Sequence, residues 1–528
     1  MAINISTQYV QCLQPATLAL VVLLTLTVGI YTVRTVQWHR RYKFPPSPPG
    51  RLPIVGHSWV LPKEFHGEKV KEWADQLGTE LMYLRLGGVD WVFLNSSRVV
   101  EDLMEKRSSI YSSRPVFAMV GEIMSRMKRL VLQPYSPEWR ELRKVMHILL
   151  TGRSADSYRV LEDMESRQAM YEMLQNPDEW YLHTIRFAAS FTIGMVYGVR
   201  QEGRSDLFQK VSDAQDEFLR NNVPGTWLVD DYPQLRHLPK LLQWWRPYGE
   251  KVYQFTRDAF NGYYDMMQDN IAKGTQAECF ATKFYQESDA QGGPEFDFDQ
   301  KLFTTGGLIE AGSDTTKNQL NMLIAALASD PNTWVAKARR ELDAVCGANA
   351  ERLPTFDDIP NLPYIQAIIK ETMRWRPNVN PTGFPHALIR DDEYEGYRFP
   401  AGTVVTINNW AISLNPKEYT NPGKFDPDRF MNGDLWNPTK GHYGYGAGRR
   451  TCAGVKVAQN SMFIFFSRLI YCFDVEEDKN DPIDTYHIPL TPPPGKANDP
   501  PFTAKISVRS EAHKELILRE WKNTTFPI

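Results

Sequence analysis

Cys452 lies in the run Tyr445-Gly446-Ala447-Gly448-Arg449-Arg450-Thr451-Cys452-Ala453-Gly454, a lone thiol in a glycine-rich loop with two arginines before it and a helix-forming run after it. A thiolate at the start of a helix is favoured by the positive end of the dipole and by backbone N–H groups, which lower its pKa and let it bind a metal. Glycines let the backbone approach a flat ligand closely. The ordinary alternative for a free cysteine is a place in the core. A phosphate loop is not supported, because GK[ST] is missing and the glycines at 444, 446 and 448 do not follow GxGxxG. Zinc lacks a second cysteine or a histidine at finger-like spacing.

Three other groupings bear on chemistry. Glu371 and Arg374 stand at i, i+3, on one side of a helix, where a further arginine such as Arg429 could complete an ion network; alone, the pair reads as an exposed helix pair. Trp139 and Arg143, at i, i+4, share a helix face, and a guanidinium suits a carboxylate partner. Ala311-Gly312-Ser313-Asp314-Thr315-Thr316 places an acid beside a hydroxyl, which reads as a helix cap unless the helix continues. The apolar run from Leu320 to Leu327 argues that it does.

The run from Tyr445 to Gly454 resembles the haem-binding signature of the cytochrome P450 family, Phe-x-x-Gly-x-Arg-x-Cys-x-Gly. Tyrosine replaces the usual phenylalanine, which keeps the ring packing and leaves Cys452 as the expected metal ligand. Glu371 to Arg374 resembles the family's Glu-x-x-Arg, and Phe425-Asp426-Pro427-Asp428-Arg429-Phe430 resembles its Pro-x-Arg-Phe segment. Glu371, Arg374 and Arg429 are therefore expected in one buried network. The segment around Asp314 and Thr315 resembles the oxygen-activating segment, and Trp139 to Arg143 the Trp-x-x-x-Arg helix that reaches a haem propionate. By the same likeness His386 and Arg450 serve the propionates, while Tyr445, Gly446 and Gly454 shape the haem loop.

The resemblance implies a mainly α fold with small β-sheets, haem b (iron protoporphyrin IX) as cofactor, and O2-dependent oxidation of a small hydrophobic substrate. Asp314 and Thr315 would be the catalytic proton-delivering residues. Electrons would come from a membrane-bound NADPH-dependent flavoprotein reductase docking on Arg140, Lys144 and Arg449. Substrate would be held by 114–131, 222–245, 379–384 and 492–500, with Val116, Phe117, Ala311, Val379 and Phe384 in the pocket. The segment from Val229 to Leu235 resembles fungal members that tailor secondary metabolites. A second function class is a haem-thiolate isomerase or dehydratase acting on a peroxide without a reductase, against which the Asp314–Thr315 pair speaks.

These residues need long elements to bring them together. With 528 residues, 42% hydrophobic and 23% charged, the chain can bury a sizeable core. The stretch 300–329 predicts a helix roughly 45 Å long, although Gly306, Gly307 and Gly312 weaken it and ask for a reason; room for O2 beside a locally loosened helix is the one the resemblance offers. Ile365, Ile368, Ile369 and Met373 mark a buried helix face ending before Pro377. Gly87-Gly88 predicts a hairpin, and 393–413 a second strand-rich stretch.

The amino terminus carries no charged side chain from Met1 to Val33, and 17–33 is apolar enough to cross most of a bilayer with a few preceding residues. Arg34, Arg40, Arg41 and Lys43 follow, which by the positive-inside rule predicts a single transmembrane anchor with a lumenal tail over 1–33. A basic, proline-rich hinge (34–53) and a cytosolic haem-binding catalytic domain (54–528) complete the expected plan, which places the protein on the endoplasmic reticulum membrane. Trp244 and Trp245 suit the lipid interface. A net charge of -3 gives no field that would draw the chain onto nucleic acid, and five scattered cysteines do not make a disulfide framework.

Overall fold

The structure, a computed structural model, describes residues 41–528 except 63, 202, 204, 290–294, 378–380, 491–495, 497 and 527–528, together with scattered positions between 18 and 40. The expected anchor falls mostly outside the described residues, and so does Val379. Among the described residues no helix is long and apolar enough to cross a membrane.

The body is mainly helical, with three small sheets. Its axis is the helix Phe298–Ser329, 32 residues long. Asp297 caps it by accepting the Gln300 N–H at 2.7 Å, and it ends at Asp330, before Pro331. The helices Trp180–Tyr197, Arg246–Lys273 and Val455–Cys472 pack against it. Leu320, Leu323, Ile324 and Leu327 are all buried in the main core, where full burial of such a side chain contributes about 1.5–3 kcal/mol.

Two of the three glycines in this helix have a packing reason. A Cβ on Gly306 would lie 2.2 Å from the Phe260 ring, and one on Gly312 would lie 2.8 Å from Thr192. Only Gly307 borders open space. The helix runs through all three, and close helix–helix approach gives Gly306 and Gly312 a reason of their own.

The predicted hairpin is β1 (Leu81–Leu86) and β2 (Val89–Leu94), turning at Gly87-Gly88. The strand-rich stretch holds β3 (His386–Ala387) just before it, then β4 (Asp392–Tyr394), β5 (Tyr397–Phe399) and β6 (Val404–Ile407). Its last part is instead a short helix, Asn409–Ser413, because the Asn408 side chain caps the Ala411 N–H. The main sheet has the order β1-β2-β6-β3, with β2 and β6 parallel and β6 and β3 antiparallel. A third sheet pairs β7 (Phe473–Glu477) with β8 (Ala504–Val508).

The prolines of the hinge do not stand away from the body. The Pro46 carbonyl accepts the Tyr83 N–H of β1 at 2.9 Å, and Phe44 stacks on the Tyr83 ring at 4.4 Å. The stretch 44–50 is thus fixed along the sheet edge.

Candidate functional site

Cys452 is held by the loop before it. Its N–H donates to the Tyr445 carbonyl at 2.9 Å, Gly446 takes a left-handed φ of 72°, and Gln459 of the following helix donates to the Tyr445 hydroxyl at 2.8 Å. Gly448 is the tightest point: at φ 61°, a Cβ there would lie 2.0 Å from the Met104 carbonyl oxygen, on the π-helix Glu101–Lys106. The helix Val455–Cys472 starts just past Gly454. The Cys452 side chain is accessible, yet the protein packed around it raises its thiol pKa, with the Gly454 N–H and the Arg143 guanidinium acting against that rise. A side chain both accessible and surrounded by protein lines an internal cavity.

The long helix shows the same signature. Ala311 and Thr315, one turn apart, are accessible in the middle of a helix whose next residues, Thr316 to Leu320, are buried. With Gly307 they form one face open to internal space. The Thr315 hydroxyl donates to the Ala311 carbonyl at 2.6 Å. Asp314 is held by the Lys317 ammonium at 2.6 Å, a partner the sequence reading missed although i, i+3 spacing signals it. Burial works against the Lys317 charge, but Asp314 beside it raises the amine's pKa overall.

Between the cysteine loop and β3 lies a group of cations. Ser136 caps the helix Pro137–Leu150 by accepting the Trp139 N–H, which sets Trp139 and Arg143 one turn apart. The Arg143 guanidinium donates to the Thr451 carbonyl. Arg450 donates to the carbonyls of Ser112 at 2.7 Å and Gln133 at 2.8 Å. Arg114 donates to the carbonyls of Phe384 and Pro385. His386 pairs through Nδ1 with the Tyr111 carbonyl at 2.8 Å.

Burial and the neighbouring Arg114 and Arg143 push Arg450 down to about 8, and burial alone takes Arg114 to about 10. Burial also lowers Arg143, and it holds His386 well below the usual imidazole range, with Arg114 adding to the effect. Among the described residues no carboxylate acts on Arg114, Arg143 or Arg450. Trp139 Nε1 and Arg114 Nε are buried without hydrogen-bond partners among the described residues. Unpaired buried cations are costly, so this cluster requires an anion. The two propionates of haem b match that requirement, and the enclosed Cys452 sulfur is a suitable iron ligand. Arg114 was expected only as the start of a substrate loop; its carbonyl partners, some 270 residues away, explain why spacing did not reveal it.

Behind the loop, Glu371 and Arg374 are completely buried and joined by two bonds of 2.7 Å. Arg429 reaches the same carboxylate at 3.1 Å, as expected, and the Asp426 N–H adds a bond at 2.8 Å. Of the expected pocket residues, Phe117 and Phe384 are partly buried beside the cluster containing Met119, Phe218 and Trp245. Val116, next to Phe117, is 38% exposed. Trp245 is likewise buried in that cluster, so only Trp244 of the pair fits the interfacial expectation.

A family model for cytochrome P450 matches residues 45–498. Cytochrome P450 monooxygenase verL of Clonostachys rogersoniana is 35% identical over 493 residues, covering 90% of this chain and 89% of that one. Cytochrome P450 monooxygenase aneD of Aspergillus aculeatus is 33% identical, covering 94% of each chain. The fold is similar to that of a zebra fish cytochrome P450 solved with abiraterone, with a TM-score of 0.65 at 20% identity, over 84% of this chain and all of that one. Loop, cation cluster and kinship agree: the chain belongs to the cytochrome P450 family, as a monooxygenase whose cofactor is haem b.

Proposed function

We propose that this monooxygenase hydroxylates or otherwise oxidises a small hydrophobic substrate in secondary-metabolite biosynthesis, with electrons from an NADPH-dependent flavoprotein reductase. The observation that carries it is the set of buried cations, with no carboxylate partner among the described residues, beside an enclosed thiol. Bound there, haem b would supply O2 activation and electron transfer.

The protein's part is to bind, orient and deliver protons. Cys452 is the thiolate ligand, with Tyr445, Gly446 and Gly454 fixing its loop. Trp139, Arg143, His386 and Arg450, joined by Arg114, hold the propionates, and the Glu371–Arg374–Arg429 network braces the loop from behind. Thr315 Oγ1 passes a proton toward the reaction space, and Asp314, held by Lys317, is the acid that replenishes it. The exposed Arg140 and Arg449 guanidiniums both lie over the Tyr135 ring, at 5.9 and 5.3 Å, and with Lys144 offer a basic face to an acidic reductase.

Membrane attachment is part of the same reading. Leu241 is 95% exposed and Trp244 63% exposed. Exposed Ile54 and Trp59 belong to the neighbouring segment, since Tyr232 bonds the Ile54 carbonyl. Apolar groups of this kind suit a lipid surface, and with the amino-terminal anchor they support a cytosolic body resting on the endoplasmic reticulum membrane.

The reduced, carbon monoxide-treated protein is expected to show the red-shifted Soret band of thiolate ligation, lost in Cys452→Ala. Turnover with NADPH and reductase, compared with a hydroperoxide alone, separates this reading from the isomerase or dehydratase.

A further inference from the structure

The strap 114–131 runs from the haem cradle to the long helix. At its start Arg114 belongs to the cation cluster, and at its end Arg129 pairs with Glu310, immediately before the cavity-facing Ala311. Its middle is the short helix Ala118–Ile123. The segment 229–235 fastens that middle to the body.

Two aspartates divide the work. The Asp231 carbonyl accepts the Gly88 N–H of the hairpin turn at 2.7 Å, and its carboxylate accepts the Gly225 N–H at 3.2 Å, which pins the segment to the hairpin. Asp230 reaches the other way. Its carboxyl accepts the Met119 N–H at 2.7 Å, and the N–H groups of Ala118 and Val120 also act on it. A further tie between the same two segments, the Arg236–Glu122 pair at 3.3 Å, is exposed and therefore weak.

Asp230 is partly buried, and burial raises its carboxyl to about 7 against the pull of those N–H groups, with Asp231 adding to the rise. The cations of the neighbouring segments are engaged elsewhere: Arg236 by Glu122, Lys128 by Asp297, Arg129 by Glu310 and Arg85 by Asp90.

We propose that Asp230 is a proton-operated clasp, which holds the strap over the internal space and sets how fast small molecules enter and leave it. A protonated carboxyl still accepts N–H bonds but puts no charge into the interface. An ionised one gains by moving out into water, and the strap is released with it. The clasped state keeps its proton up to about 7, whereas a carboxyl released into water gives it up near ~4. Clasping is thus favoured as the pH falls through that window. Openings become more frequent as the pH rises, by up to about tenfold per unit, and level off above about 7.

The test follows phenyl isocyanide, an uncharged haem ligand with no titrating group, on the full haem-loaded chain in the ferrous state. Stopped-flow absorbance gives its association rate, and displacement by excess carbon monoxide gives its dissociation rate. In the parent protein both rates are expected to rise at least about fivefold from roughly pH 5.5 to 7.5, while the affinity changes less than about twofold. Asp230→Asn keeps an acceptor that cannot ionise, and should flatten the rise to less than about twofold. Asp230→Ala removes the acceptor and should be at least about fivefold faster than the parent in both rates near pH 5.5, with its carbon monoxide spectrum intact. Parent rates that ignore pH, a rise that persists in Asp230→Asn, or an alanine variant that shifts affinity without speeding both rates would overturn the proposal and leave a structural tie only. Should the alanine variant not fold, the pH profile of Asp230→Asn against the parent decides alone.

Discussion

The Arg450 guanidinium lies 3.8 Å from the centroid of the Trp139 indole, whose own N–H is buried with no partner among the described residues. The ring steadies the cation through its π face while its edge offers a donor to the same site. Trp139→Phe keeps the ring and removes the donor, so haem affinity should fall about tenfold, the range of one charge-assisted hydrogen bond. Haem transfer to apomyoglobin measures it; an unchanged transfer rate would place the indole N–H outside the site.

Arg114 and Arg143 both act against the charge of Arg450, and among the described residues no carboxylate answers it. Arg114→Met should therefore act in opposite directions on the two forms: the haem-free protein gains resistance to urea, and the loaded protein loses haem faster. A purely structural arginine would weaken both.

Glu371 and Arg374 are completely buried, so neutralising one strands the other. Glu371→Gln should cost about 3–5 kcal/mol in urea unfolding. Arg429→Lys, at a partly exposed position, should cost about 1 kcal/mol.

His442 lies beneath the cysteine loop, where burial, then Lys370 and Arg374, lowers its imidazole to about 3. The folded state keeps it neutral while the unfolded chain takes up a proton near pH 6.5, so the unfolded state binds more protons between about 3 and 6.5. Stability should fall as pH drops through that window, by up to about 1.4 kcal/mol per pH unit. His442→Gln should flatten the slope, as read from urea midpoints between pH 6.5 and 4.5.

Thr315 presents its hydroxyl from the cavity-facing side of the long helix. Thr315→Ala should lower product per NADPH about tenfold and raise hydrogen peroxide release, with little change in substrate binding, consistent with the loss of one proton-transfer group. Unaltered coupling would remove Thr315 from the proton path.

Periodicity and short-range spacing carried much of the fold. The hairpin at Gly87-Gly88 and the helix ending before Pro377 were legible because turn residues and helical spacing act locally. Spacing alone put Glu371 and Arg374 on one helix face, while their burial with Arg429 was legible only through the family resemblance. What stayed hidden depends on long-range partners. Arg129 and Glu310 lie 181 residues apart, and nothing local marks either as paired. The reasons for Gly306 and Gly312 lie in Phe260 and Thr192, side chains of other helices.

Gly448 admits no Cβ because the Met104 carbonyl fills the place one would take. The cysteine loop and the turn at 101–106 are therefore one mechanical unit despite their distance along the chain. Chimaeras that graft the loop from a relative should import both segments together, and mutagenesis libraries should leave codon 448 untouched while sampling its neighbours.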